Sequence, residues 1–331
     1  MAGFTNDVFR RVLHRFGGVG LYTTEMLHAR GLLEMAARRK GLHSRLAGIP
    51  LKSPETPIPS ETVPYPLALQ LWDNDADRLA EIAEKLAKEY EIAVFDLNFG
   101  CPEHDVTLKS HSGAWLLQFP EKIEKIVRHV TAAAGEIPVT AKIRLGFSAG
   151  DYSAPEVVQA VESAGAAAVT VHGRTAEQMY SGTADWEKIA DLRRFLRRIP
   201  LIGNGDITSP EEAARAFLDY GVDGVMIGRA CLSAPWFFRQ TAALLRGEPE
   251  EIWRLTPSPA EQKTLLEMHF SLLLSQNPPR DAIIQMRKFA PRYGVGLKNA
   301  RHFRLQVAQM STPEEFTRIV EEFFSELIID N

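Results

Sequence analysis

The sequence predicts an α/β protein: a (β/α)8 TIM barrel followed by a C-terminal all-helical domain. Three observations carry that reading. Short apolar, β-branched runs alternate with amphipathic stretches through residue 245. The runs are apolar on both faces, as in a parallel sheet covered by helices. Beyond Leu245 the strand signal stops and helical periodicity continues alone.

The first element, "TNDVFRRVLHRFG", reads as a helix capped by Thr5 or Asn6 and stopped by Gly17. The strands follow as "VGLYT" from Val19, "PLALQL" from Pro66, "AVFDLNF" from Ala93, "VTAKIRL" from Val139, "AVTVHG" from Ala168, "PLIGNG" from Pro200 and "GVMIG" from Gly224. Helices are expected at 77–88, 120–134, 154–164, 186–197, 210–218 and 236–245. That makes seven strands where a barrel needs eight. The strand feeding the first helix would lie upstream of Met1. The first barrel strand is thus missing or truncated as numbered, and an internal methionine as the start is the expectation. The proline-rich "GIPLKSPETPIPSETVPYP", 48–66, reads as a loop, and "RGEPEEIWRLTPSPAEQ" as a linker. Helices are then expected at 259–275, 279–292, 297–310 and 313–328. The expected division is 1–245 for the barrel and 246–331 for the helical domain.

Bulk properties narrow the function classes. The chain has 331 residues, is 45% hydrophobic and carries a net charge of -4, so no global basic field marks a nucleic-acid binder. Its two cysteines, Cys101 and Cys231, argue against a disulfide framework or an all-cysteine metal site and fit a reducing cytoplasm. No apolar run approaches the ~20 residues of a membrane span.

The polar residues cluster at strand ends. "IGNGDITSPEEA" and "GVMIGRACLSAPWFF" each end a strand in glycine, with Asn204, Gly205 and Asp206 in the first and Gly228 and Arg229 in the second. Loops after the last two barrel strands form a phosphate cradle, because backbone N–H groups and helix N-termini converge there. Alternation puts Lys142 and Arg144 of "TAKIRLGF" on one strand face, and two buried cations call for an anion or electron-rich ring. Gln70, Asn98, His172 and Tyr180 join the same rim, and "NFGCP" sets Cys101 on the loop after Asn98.

Together, "MAGFTNDVFR" (1–10), "LNFGCP" (97–102), "VTAKIRLG", "VHGRTAEQMYSGTADW", "IGNGDI", "MIGRACLSAPWFF" and "MRKFAPRYGVGLKNARHFR" (286–304) resemble the tRNA-dihydrouridine synthases. The resemblance covers nearly the whole chain and implies an FMN enzyme that reduces the C5=C6 bond of uridines in tRNA, with NADPH as electron donor. It implies that Met1, Ala2, Gly3, Gln70, Lys142, His172, Asn204, Gly205, Asp206, Gly228 and Arg229 bind the flavin. Asn98, Arg144 and Tyr180 match positions that hold the uracil, and Cys101 matches the catalytic acid. The family's first motif normally follows a strand ending in Ala-Pro, and here nothing precedes Met1.

A basic stripe in the helical segment, Arg287, Lys288, Lys298, Arg301 and Arg304, is the expected tRNA-backbone contact. Two other functions fit parts of the sequence: an FMN-dependent dehydrogenase of small pyrimidines, and a tRNA-binding factor without catalysis. No G-x-G-x-x-G follows a strand at a helix start, so no dedicated dinucleotide domain is visible.

Overall fold

The computed structural model describes residues 1, 3–38, 42–52, 64–249 and 251–329. In chain order the elements begin with α1 (Asp7–Phe16), β1 (Tyr22–Thr23), β2 (Leu27–His28), α2 (Ala29–Ala37) and α3 (Leu42–Arg45). Next come β3 (Leu67–Trp72), α4 (Ala76–Glu89), β4 (Val94–Asn98), α5 (Pro120–Ala134), β5 (Val139–Arg144), α6 (Ala154–Ser163) and β6 (Ala168–His172). The series continues with α7 (Trp186–Asp191), β7 (Leu201–Asn204), α8 (Pro210–Tyr220) and β8 (Gly224–Met226). The last helices are α9 (Phe237–Leu245), α10 (Glu251–Arg254), α11 (Pro259–Gln276), α12 (Pro279–Tyr293), α13 (Ala300–Gln309) and α14 (Pro313–Ile329).

The chain divides into two compact units. One comprises Met1–Asp7, Gly20–Ile207 and Glu212–Ile227; the other comprises Val8–Val19, Thr208–Glu211 and Gly228–Asn331. Compactness is a different cut from the functional division expected at 245/246.

The first unit is an α/β barrel of the TIM type. Its strands are all parallel, in the order β1-β3-β4-β5-β6-β7-β8, with β2 also paired to β3. Among the described residues no pairing joins β8 to β1. All seven expected strands form, and β2 is an eighth that the sequence reading passed over. The register explains it. Tyr22 and Thr23 pair with Leu67 and Ala68, whereas Leu27 and His28 pair with Leu71 and Trp72. Three residues, Thr24 to Met26, therefore oppose two on β3, which is the count of a β-bulge. Such an interruption hides an edge strand from a period-two reading.

Alternation along the strands divides the side chains. Leu69, Leu71, Phe95, Leu97, Ala141, Ile143, Val169 and Val171 are buried on one face. Gln70, Asp96, Asn98, Thr140, Lys142, Arg144, His172 and Asn204 share the other, in registered pairs such as Gln70↔Asp96 and Asp96↔Thr140. Polar side chains on the inner face of a barrel are costly unless they bond one another. The expected loop at 48–66 falls largely on 53–63, outside the described residues.

The second unit is helical. α11 starts at a capping box in which Ser258 and Glu261 satisfy each other's backbone N–H. The segment read as a linker contains the one-turn helix α10. Phe9 stacks on Phe289 with centroids 5.3 Å apart, and His269 lies against both. His269 Nδ1 is 2.9 Å from the Tyr293 hydroxyl, and its Nε2 is buried without a hydrogen-bond partner. Burial pushes the His269 imidazole down to about 3. Between pH 3 and the ordinary histidine value near 6.5, the unfolded chain binds a proton that the folded chain refuses. Stability from this residue is thus full above pH 6.5 and falls as the pH drops, by about 2 kcal/mol at pH 5. Urea midpoints at pH 7 and pH 5 check this: His269→Met should show a smaller drop than the parent.

Candidate active site

The C-terminal ends of β3 to β7 carry the polar cluster. Cys101 lies three residues beyond the end of β4, and the loop is folded back onto that strand by Asn98. The Asn98 Oδ1 accepts the backbone N–H of Gly100 at 3.0 Å and of Cys101 at 2.9 Å. Its Nδ2 donates to Gln70 Oε1 at 2.9 Å and approaches the Met26 sulfur at 3.7 Å. Met26 belongs to the bulge, as does Thr24, whose Oγ1 accepts the Gln70 backbone N–H at 3.0 Å. The bulge thus aims two side chains into the site.

The thiol of Cys101 is half-buried. Burial pushes its pKa above the ordinary thiol range, while Arg144 and Lys142 pull against that rise. It is therefore a protonated thiol at neutral pH. The loop closes behind it where Ala114 N–H donates to Cys101 O at 3.0 Å. Gly113 has φ +56, and a Cβ there would meet Cys101 O at 2.8 Å. Lys109 is exposed and paired with Asp105 at 2.8 Å; His111 packs on Trp115 with centroids 4.7 Å apart.

Lys142 donates to Asn204 Oδ1 at 3.1 Å, its one hydrogen bond among the described residues. Burial and the neighbouring Arg144 cation push its amine down to about 8, with Asp96 opposing. Arg144 is buried, with Nε donating to Gly100 O at 2.9 Å and Nη1 to the carbonyls of Thr175 at 2.7 Å and Met179 at 2.9 Å. Its guanidinium carbon lies 5.8 Å from the centroid of the exposed Tyr180 ring. Nη2 makes no hydrogen bond among the described residues. His172 is buried, and burial pushes its pKa to about 2, with Lys142, Arg144 and Arg174 acting the same way. The ring is neutral, and its Nδ1 is buried without a hydrogen-bond partner.

Gly205 has φ +133, and a Cβ there would lie 2.6 Å from the Ala184 Cβ and 3.6 Å from His172 Nε2. The next residue, Asp206, is held by a buried arginine: Arg174 Nη1 and Nη2 donate to its two oxygens at 2.9 and 2.6 Å. Asp206 Oδ2 also accepts the Ala184 N–H at 2.8 Å. Arg174 continues to the carbonyls of Ser181 and Gly182, at 3.0 and 2.6 Å. Asp206 and Arg174 thus form the brace of the β6 loop. Arg174 was noted in the sequence only as part of a polar loop.

The first unit brings Gln70, Asn98, Cys101, Lys142, Arg144, His172, Asn204, Gly205 and Asp206 together. Tyr180 joins them through Arg144. Met1 and Gly3 lie in an N-terminal turn in which Met1 O accepts the N–H groups of Phe4 and Thr5; Ala2 lies outside the described residues. Gly228 and Arg229 belong to the second unit, at the start of a 3-10 turn, Arg229–Leu232. In the same unit Lys288, Lys298, Arg301 and Arg304 are exposed. Arg287 differs: its Nε donates to Met310 O at 2.9 Å, capping the end of α13. Sequence reasoning missed Asp96. Its signal was parity, since it lies two residues before Asn98 on the same strand face. Among the described residues no cluster of three His, Cys, Asp or Glu side chains could hold a metal, and no helix is long and apolar enough to cross a membrane.

The family model for dihydrouridine synthase (Dus) matches residues 1–328. The chain is 33% identical over 330 residues to the "Probable tRNA-dihydrouridine synthase" of Mycobacterium tuberculosis, covering 97% of this chain and 80% of that protein. It is 32% identical over 331 residues to the protein of the same name from Rickettsia conorii, covering 100% and 93%. It is also 32% identical to the "Probable tRNA-dihydrouridine synthase 1" of Synechocystis, covering 98% and 85%. Among solved structures, histamine dehydrogenase from a Rhizobium species superposes with a TM-score of 0.50 at 12% identity. That match covers 81% of this chain and 46% of the other, and the likeness is one of fold.

Proposed function

The chain belongs to the dihydrouridine synthase family and is an oxidoreductase of that family, and from this premise we propose that it reduces the C5=C6 bond of uridines in tRNA, using FMN and NADPH. The observation that carries the reading is the protonated, half-buried thiol of Cys101, held by Asn98 at the strand ends beside Lys142 and Arg144.

The donor set fits a flavin. His172 Nδ1 is a buried polar atom without a partner, and Lys142 uses one of its three N–H bonds. Gln70 keeps one N–H beyond its bond to Asp96. Such donors suit an electron-rich, anionic ring edge. The neutral His172 adds no charge, so Lys142 supplies the electrostatic attraction. The remaining flavin contacts we assign are Met1, Ala2, Gly3, Asn204, Gly205 and Asp206, with Gly228 and Arg229 as phosphate ligands on the strength of the sequence.

A bound FMN, once reduced, would supply the hydride for uracil C6. Charge then builds on the C4 carbonyl and C5, and Arg144 Nη2 and Asn98 are the donors assigned to that edge. Tyr180 offers an exposed ring beside Arg144 for the base. Cys101 donates the proton that completes C5. Two hydrogens added in this way give dihydrouridine.

Incubating the protein with an unmodified tRNA transcript and NADPH, then mapping nucleosides by mass spectrometry, tests the function. Uridine gaining two hydrogens at defined positions supports it; no change in the tRNA alongside turnover of a free pyrimidine would favour the small-molecule dehydrogenase. The helical segment 246–331 is the proposed RNA-binding part. Arg301→Glu with Arg304→Glu is expected to weaken tRNA binding and to lower the salt slope by roughly one unit per lost phosphate contact. Flavin content should not change. A salt titration of tRNA affinity checks it.

A further inference from the structure

We propose that Asp96 is a positioning residue for this reaction, fixing the orientation of the Gln70 and Asn98 amides and, through them, the backbone that presents Cys101. The inference rests on the proposed function for its catalytic meaning and on hydrogen-bond polarity for its geometry.

The polarity is set at the loop end. The backbone N–H groups of Gly100 and Cys101 can only donate, so the atom of Asn98 facing them at 3.0 and 2.9 Å is its oxygen. Its Nδ2 must then face Gln70, and the Gln70 atom that accepts it at 2.9 Å is Oε1. That leaves Gln70 Nε2 pointing at Asp96 Oδ2, 2.6 Å away. Only an acceptor satisfies the last link. Asp96 is a carboxyl buried to 3% exposure, and its other oxygen accepts Thr140 Oγ1 at 2.8 Å. From the loop each bond donates toward Asp96 across β4 and β3, and the Thr140 hydroxyl of β5 donates to Asp96 from the other side.

Removing the acceptor strands a buried Gln70 N–H. Flipping the Gln70 amide would set its Nε2 against Asn98 Nδ2. Asn98 would then have to flip as well and release both loop N–H groups. A defect at Asp96 therefore arrives at Cys101 as a change of backbone orientation, although Asp96 does not touch the thiol. Burial also pushes the Asp96 pKa upward, with Gln70, Thr140 and Lys142 pulling it back. A carboxyl kept at that cost in a barrel interior is consistent with a positioning role.

The test compares Asp96→Leu, which has no acceptor, with Asp96→Asn, which can still offer an oxygen to Gln70. Iodoacetamide alkylation of Cys101, read by peptide mapping to separate it from buried Cys231, needs neither flavin nor tRNA. In Asp96→Leu the loosened loop exposes the thiol and lowers its pKa, so alkylation at neutral pH should accelerate about tenfold per unit of pKa. In Asp96→Asn it should stay near the parental rate. With tRNA, Asp96→Leu should lose kcat with little change in KM, and Asp96→Asn should restore it. Gln70→Leu breaks the relay one link nearer the loop and serves if Asp96→Leu does not fold; it should accelerate alkylation in the same way. Parental alkylation in the acceptor-less variant, or Asp96→Asn as impaired as Asp96→Leu, overturns the inference. A parent protein that leaves tRNA unreduced would instead overturn the proposed function, and the alkylation series would still decide the geometry.

Discussion

Under the proposed function, Cys101→Ala is expected to slow reoxidation of the reduced protein by tRNA by ~10²–10⁴-fold, the usual contribution of a general acid, and to leave NADPH-driven reduction intact. The asymmetry follows from where the thiol acts. Its pKa lies above the ordinary thiol range because burial outweighs the pull of Arg144 and Lys142, so the donating form is the populated one through neutrality. The tRNA-dependent rate should be flat there and fall only on the alkaline side, as the thiol is lost. Cys101→Ser, with a hydroxyl too weak an acid to replace it, should stay slow. Stopped-flow measurement of both half-reactions checks each point, and equal tRNA-dependent rates in parent and Cys101→Ala would remove the residue from the mechanism.

Arg174→Met should destabilise the first unit by about 3 kcal/mol, the low end of the cost of breaking a buried ion pair, because water still reaches the Asp206 carboxylate that is left behind. Arg174 is 2% exposed and is bound to both oxygens of Asp206 and to two loop carbonyls. Its loss leaves the Asp206 carboxylate without its main counter-charge and releases the loop that carries Tyr180. Urea denaturation gives the magnitude. Flavin affinity should fall in the same variant, because Asp206 and Gly205 are adjacent. A midpoint shift of the size of a surface substitution would show that the brace is not structural.

The strands were legible because the face they turn away from the site is continuously apolar, and β3 to β8 all appear where those runs lie. β2 was not legible, since a bulge shifts the register between Thr24 and Met26 and leaves two residues of signal. The site was legible as a set of residue types at strand ends, which is what parity and glycine placement can reveal. Which of them bond to each other was not. Asp206, assigned to the flavin, also closes on Arg174, and Arg287, expected at the tRNA backbone, also caps Met310. Both outcomes depend on partners distant in sequence, and no local pattern encodes them.

The loop after β4 divides into two parts with different room for change. Gly113 sits with a positive φ against Cys101 O, so every side chain larger than hydrogen collides with the backbone that bears the thiol. The π-helical turn Asp105–Lys109, by contrast, buries Val106 and Thr107 but leaves Asp105, Leu108 and Lys109 exposed, with Lys109 held by a surface ion pair to Asp105. In evolutionary terms this is a fixed hinge and a free bead on the same string. Substitutions at the exposed positions of the bead meet solvent and leave the backbone of Cys101 in place. Any side chain at the hinge moves the Cys101 carbonyl, so change at the one position reaches the thiol and change at the other does not.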